Sequence, residues 1–237
     1  MGRYPSIAAD KQKTGAARGK LYAMYAKEIY SAAKKSTDVD ANPTLKRLIE
    51  KAKKAEVPSD IINRAIDKAK GVGGEDYQEV IYEGFGPGNS TFIVKTLTDN
   101  VNRTVSFVRT AFNKVHKSLG VTNSVSYNYD YLGVIVFDSD KEEEIFEALL
   151  NEGIELVDFN NENGKITISC NPTDFHHVKD VVEKIEPNVE YIYDEIGNFA
   201  KEEITLTGED KELYDRLYNM LEEIDDVTAI YTNVKED

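Results

Sequence analysis

The sequence predicts an α+β protein in which an N-terminal three-helix domain precedes two α/β domains of ferredoxin-like type, one inserted in the other. Three observations predict it. Apolar residues recur at helical spacing up to about residue 70 and alternate with period 2 beyond Gly71-Val72-Gly73-Gly74. The stretch 133–193 reads strand, helix, strand, strand, helix, strand. A further strand–helix–strand unit at 202–233 lacks partners of its own, so it must join the strands of 77–130. The expected divisions are a basic arm and helical bundle at 1–76, a discontinuous α/β domain at 77–130 plus 203–237, and an inserted acidic ferredoxin-like domain at 131–202.

Residues 1–14 have no hydrophobic period and read as a basic arm carrying Arg3, Lys11 and Lys13. From Gly15, Leu21, Met24, Tyr25, Ile29, Ala32 and Ala33 form one apolar stripe, which leaves Lys20, Lys27, Lys34 and Lys35 largely off it. Asn42-Pro43 supplies an N-cap and a first-turn proline for a second helix with Leu45, Leu48, Ile49 and Ala52 inside. On its outer face Arg47, Lys51 and Lys54 fall at i, i+4 and i+7, with Lys46 and Lys53 beside them. A third helix begins at Ser59, buries Ile61, Ile62, Ala65, Ile66 and Ala69, and ends at Gly71.

Beyond the glycines, 77–83 and 91–98 read as strands around the turn Gly84-Phe85-Gly86-Pro87-Gly88-Asn89. Val101, Val105, Val108, Phe112, Val115 and Leu119 then predict one helix over 101–119, with Arg103, Arg109, Lys114 and Lys117 outside the stripe. The ferredoxin-like stretch follows, with 160–164 as its hairpin turn, and then a strand at 202–207, a helix at 209–224 and a strand at 227–233.

Charge is distributed unevenly along this order. Residues 1–70 carry 16 Lys and Arg against 8 Asp and Glu, whereas residues 130–237 carry 8 against 30, within a net charge of -14. Such segregation is a hint of a nucleic-acid-binding end joined to an acidic body. The phosphate contacts expected are Arg3, Lys11, Lys13, Arg18, Lys20, Lys34, Lys35, Lys46, Arg47, Lys51, Lys53, Lys54, Arg103, Arg109, Lys114 and Lys117. The partner expected is DNA and/or rRNA or the ribosome, and the acidic half offers a surface for a protein partner.

Catalytic chemistry is not expected. The histidines are His116, His176 and His177, and the adjacent pair points about 100° apart on a helix, unlike ligands at i, i+4. Cys170, the single cysteine, ends an apolar strand without a candidate base and reads as an inert thiol. The glycine-rich turn at 84–88 runs into a strand, whereas a phosphate cradle needs a helix there. Asp225 and Asp226 read as a helix-to-strand turn. No enzyme activity, cofactor, metal or small-molecule substrate is expected. No apolar run approaches the roughly 20 residues that cross a bilayer, so no membrane contact is expected and a reducing cytoplasm is the expected compartment.

Several motifs in register resemble a known family. They are Asn42-Pro43-x-Leu-x-x-x-Ile-x-Lys-Ala-Lys, Val57-Pro58 with Ile61-Ile62-x-x-Ala-Ile, Tyr82-Glu83-Gly84-Phe85-Gly86-Pro87, Leu97-Thr98-Asp99-Asn100-x-Asn102-Arg103-Thr104, Ser124-Val125-Ser126-Tyr127, and Asp225-Asp226-Val227 with Tyr231-Thr232-Asn233. Together they resemble the YebC/PmpR family across nearly the whole chain. The resemblance implies a three-domain cytoplasmic protein, described in the family as a DNA-binding transcriptional regulator. Other relatives, including the mitochondrial translational activator of cytochrome oxidase, are similar to ribosome-associated factors that assist translation through stretches such as consecutive prolines. Either role implies nucleic-acid contact through the basic face of residues 3–54 and Arg103.

Overall fold

The computed structural model describes residues 15–71, 74 and 76–235, with side chains from Arg18 onward. These fall into two compact units, one holding residues 15–124 and 206–230, the other residues 125–205 and 231–235.

In the first unit, α1 (Gly15–Lys35), α2 (Pro43–Lys54) and α3 (Ser59–Ala69) form the expected bundle. Its core is Ile29, Tyr30, Ala32, Ala33, Leu45, Ala52, Val57, Ile62 and Ala65; Tyr30 and Val57 lie outside the expected stripes, and Leu21 and Met24 of the α1 stripe stay only half-buried. Asn42 holds two helix ends together. Its Oδ1 accepts from Leu45 N at 3.1 Å, capping α2, and its Nδ2 donates to Ala32 O at 3.0 Å and Ser36 O at 2.7 Å, covering carbonyls at the end of α1. Because the side chain is buried, Asn42→Ala removes a cap and strands two acceptors. We expect a loss of about 2–4 kcal/mol in denaturant unfolding, with Asn42→Asp recovering only the capping part.

The bundle leads into β1 (Gln78–Phe85), β2 (Thr91–Thr98), α4 (Val101–Asn113) and β3 (Ser118–Leu119). β1 and β2 pair antiparallel from Gln78↔Thr98 to Phe85↔Thr91. Late in the chain come α7 (Gly208–Glu222) and β8 (Val227–Thr232), and β8 lies beside β2 in the order β3-β1-β2-β8. Both helices pack on one face of this sheet, with Phe92 of β2 set 5.7 Å from Phe112 of α4 and 5.4 Å from Tyr214 of α7. Gly84 permits the close approach of α4, since a Cβ there would meet the Phe112 ring at 2.6 Å.

The helix expected over 101–119 is shorter in the structure. It stops at Asn113, where Lys117 N donates to Phe112 O and His116 N to Asn113 O, both at 3.0 Å, with His116 at φ 57. This is a Schellman ending with histidine where glycine is usual. The chain released there forms β3 against Phe85 and Gly84. Val115 is buried as its place in the stripe required.

The second unit contains β4 (Tyr129–Asp138), α5 (Glu142–Asn151), β5 (Leu156–Glu162), β6 (Lys165–Cys170), α6 (Phe175–Ile185) and β7 (Tyr191–Ala200). Every pairing is antiparallel and the order is β5-β6-β4-β7, the ferredoxin-like arrangement. Ile135, Phe137, Ile166 and Ile168 of the central strands pack against Ile145, Leu149, Phe175 and Val178 of the helices. Cys170 lies in this core, where burial pushes its thiol up to about 12 and suppresses the reactive thiolate. The strand expected at 202–207 is reduced to one bridge, Ile204 to Val234.

Candidate nucleic-acid interface

Of the expected phosphate contacts, Arg3, Lys11 and Lys13 lie outside the described residues. Arg18, Lys34, Lys35, Lys46, Lys53, Lys54, Arg103, Arg109 and Lys114 are exposed, while Lys20, Arg47, Lys51 and Lys117 are half-buried. Helix geometry puts Arg47, Lys51 and Lys54 on one side of α2, as the spacing demanded. On α4, Arg103 and Lys114 share a side with Phe107 and Thr110, and Arg109 lies about 120° around the helix from them.

The lysines of α1 divide into two groups. Lys20, Lys27 and Lys34 stand seven residues apart, which places them on one side of the helix. Lys34 Nζ donates to Asp76 Oδ1 at 2.9 Å, and that hydrogen bond raises the lysine's pKa and lowers the carboxylate's. Lys20 is desolvated by burial, which lowers its pKa against the opposing pull of Asp225, Glu222 and Glu223. Its Nζ has no hydrogen-bond partner among the described residues.

Lys27 forms a latch between the bundle and the α/β sandwich. Its Nζ donates to Asp226 Oδ1 at 2.9 Å, Asp225 O at 3.1 Å and Leu97 O at 3.2 Å. The second oxygen of Asp226 accepts from Thr104 at 2.7 Å, Arg103 at 3.0 Å and Thr98 at 3.1 Å. Arg103 also bonds Asp99 at 2.7 Å. Burial alone would raise the Asp226 pKa, but the bonds from Thr104, Lys27 and Arg103 outweigh it and hold the carboxyl well below the usual range. Asp226 thus has two cationic partners and two hydroxyls around a side chain that is 7% exposed. Sequence reasoning placed Asp226 in a turn and missed this network, whose partners lie 122 to 199 residues away in the chain.

Next to the latch, a cleft of about 610 Å³ runs between α4 and the end of α7. Arg103, Phe107 and Lys114 line it on one side, and Met220, Glu223 and Asp225 on the other. Among the described residues no group of three or more His, Cys, Asp or Glu is arranged to hold a metal ion, and no helix is long and apolar enough to cross a membrane.

Comparison with known proteins agrees with this architecture. A family model described as the TACO1/YebC protein N-terminal domain matches residues 3–72, and one described as the TACO1/YebC second and third domain matches residues 77–234. The chain is 43% identical to a probable transcriptional regulatory protein of Pseudoalteromonas translucida, covering 99% of this chain and all of that one. A protein of the same description from Alteromonas mediterranea is 41% identical over 98% of both chains. The crystal structure of a conserved hypothetical protein from Aquifex aeolicus superposes with a TM-score of 0.79 at 33% identity, covering 99% of this chain and 97% of that one. On the matches of its helical domain and of both following domains, the chain belongs to the TACO1/YebC family.

Proposed function

We propose that this protein is a non-enzymatic cytoplasmic regulator of gene expression, a DNA-binding transcriptional regulator that grips phosphates through its basic N-terminal helices. The carrying observation is the segregation of charge. Arg18, Lys35, Lys46, Lys53 and Lys54 are exposed on the helical bundle, while residues 130–237 carry 30 of the 43 acids. Clustered cations on one domain are the electrostatic footprint of phosphate binding. The relatives named as probable transcriptional regulators support the same reading. No recognised base-reading motif accompanies the patch, so phosphate and shape contacts dominate over direct readout.

Salt titration tests this. With roughly 6–10 phosphate contacts, affinity for duplex DNA falls by about 10³–10⁵ between 50 and 200 mM salt. A flat response on both duplex DNA and rRNA would refute phosphate binding. Steep binding to rRNA together with co-sedimentation on ribosomes, and weak binding to DNA, would move the target from the promoter to the ribosome.

A further inference from the structure

We propose that the cleft between α4 and the end of α7 binds one unpaired nucleotide, with guanine preferred; the proposal rests on the nucleic-acid reading above. Phe107 carries it. The residue is 52% exposed in the wall of a cleft of about 610 Å³, a size suited to a small ligand. Arg103, Phe107, Thr110 and Lys114 follow one another at i, i+4, i+7 and i+11, so they form a single line along α4. That order, cation, aromatic, hydroxyl, cation, is what a single strand requires: a flat ring on which a base stacks, with positive groups either side for the flanking phosphates.

The opposite wall supplies discrimination. Glu223 and Asp225 line it, and ionised carboxylates only accept hydrogen bonds. A phosphate is repelled by that wall and a base edge rich in donors is drawn to it. Guanine presents two adjacent donors, N1–H and the N2 amino group, which match the two oxygens of one carboxylate. Asp226 is already bonded to Lys27, Arg103, Thr98 and Thr104 and serves to hold Arg103 in place. The bonds from Arg103 to Asp99 and Asp226 leave from the same nitrogen, Nη2, so the rest of the guanidinium fork suits a phosphate. A duplex does not fit this scheme, because its bases are stacked and paired.

The chain contains no tryptophan, so Phe107→Trp places a single indole inside the cleft. The probes are a 12-nucleotide oligouridylate with one central guanosine, the same oligouridylate without it, and a blunt DNA duplex. The expected result is quenching of the indole fluorescence of the Phe107→Trp variant by the guanosine strand at several-fold lower concentration than by the plain strand. Phe107→Ala weakens the guanosine strand about 5- to 100-fold by anisotropy and keeps the salt slope on the duplex. Glu223→Gln narrows the difference between the two strands. If Phe107→Ala binds both strands as the native chain does while duplex binding persists, the cleft proposal fails and the phosphate reading stands. If the introduced indole responds to neither strand while duplex binding persists, the nucleotide is not bound in the cleft and the proposal fails. If no probe binds at low salt, both readings fall together.

Discussion

Replacing Asp226 by alanine is expected to cost about 3–5 kcal/mol, because it removes the anion from a mostly buried ionic network and leaves its cations behind. Lys27 and Arg103 both lose their shared partner, and the buried hydroxyls of Thr98 and Thr104 lose an acceptor. Lys27 keeps the carbonyls of Leu97 and Asp225 and its place over the Tyr77 ring, none of which carries a compensating charge. Denaturant unfolding of the full chain measures the loss. A value within about 1 kcal/mol of the native chain would show that the network contributes nothing net, as exposed pairs often do.

The same carboxylate makes stability depend on pH. Its pKa is depressed in the folded protein, so its contribution is fully present above the unfolded value near 4. It is lost progressively as pH falls through that range toward the folded value, because the unfolded chain then binds the proton first. Asp226→Asn, which keeps the shape and removes the charge, is expected to be less stable at neutral pH and to lose less on acidification below pH 4. An equal acid slope for the two proteins would assign the acid sensitivity to other carboxylates.

The second large effect concerns binding. Lys46, Lys53 and Lys54 are exposed on α2, so replacing all three by alanine removes charge without opening the core, and alanine's high helix propensity offsets the lost attraction of Lys53 and Lys54 for the helix C-terminus. Three fewer phosphate contacts should lower the slope of log affinity against log salt by about 2–3 on duplex DNA, and affinity should drop at least roughly tenfold near 0.1 M salt. Matching substitutions Lys165→Ala, Lys184→Ala and Lys235→Ala, exposed on the acidic side of the sequence, should leave the slope unchanged. If the two triple variants behave alike, the lysines of α2 are a solvated face and the contact lies elsewhere.

Much of the fold is legible in the sequence because the period of the apolar residues changes where the architecture does. Ile29, Leu45 and Ile62 announce the three bundle helices, and the continuous apolar run Val134 to Phe137 with the alternation of Ile166 and Ile168 announces the central strands of the ferredoxin-like sheet. The failures have local causes. The apolar stripe overstates the length of α4 because His116 adopts the left-handed conformation that a glycine would have advertised. Ile204 and Leu206 alternate with polar residues as a strand would at 202–207, but Leu206 packs under the Gly88 turn and only Ile204 finds a strand-like neighbour. The Asp226 network is invisible for another reason. Its partners lie 199, 128, 123 and 122 residues away in sequence, so neither spacing nor composition brings them together. Counting cations along α1 also hides their division, since Lys20, Lys27 and Lys34 turn toward acids while Arg18 and Lys35 are exposed.

The most direct measurement is photo-cross-linking of the full chain to duplex DNA and to rRNA, with the linked peptides mapped by mass spectrometry. Cross-links within residues 18–54 and 103–117 are the predicted result. Cross-links confined to residues 125–205 would contradict it, because they would place the nucleic acid on the acidic ferredoxin-like domain instead of the basic helices.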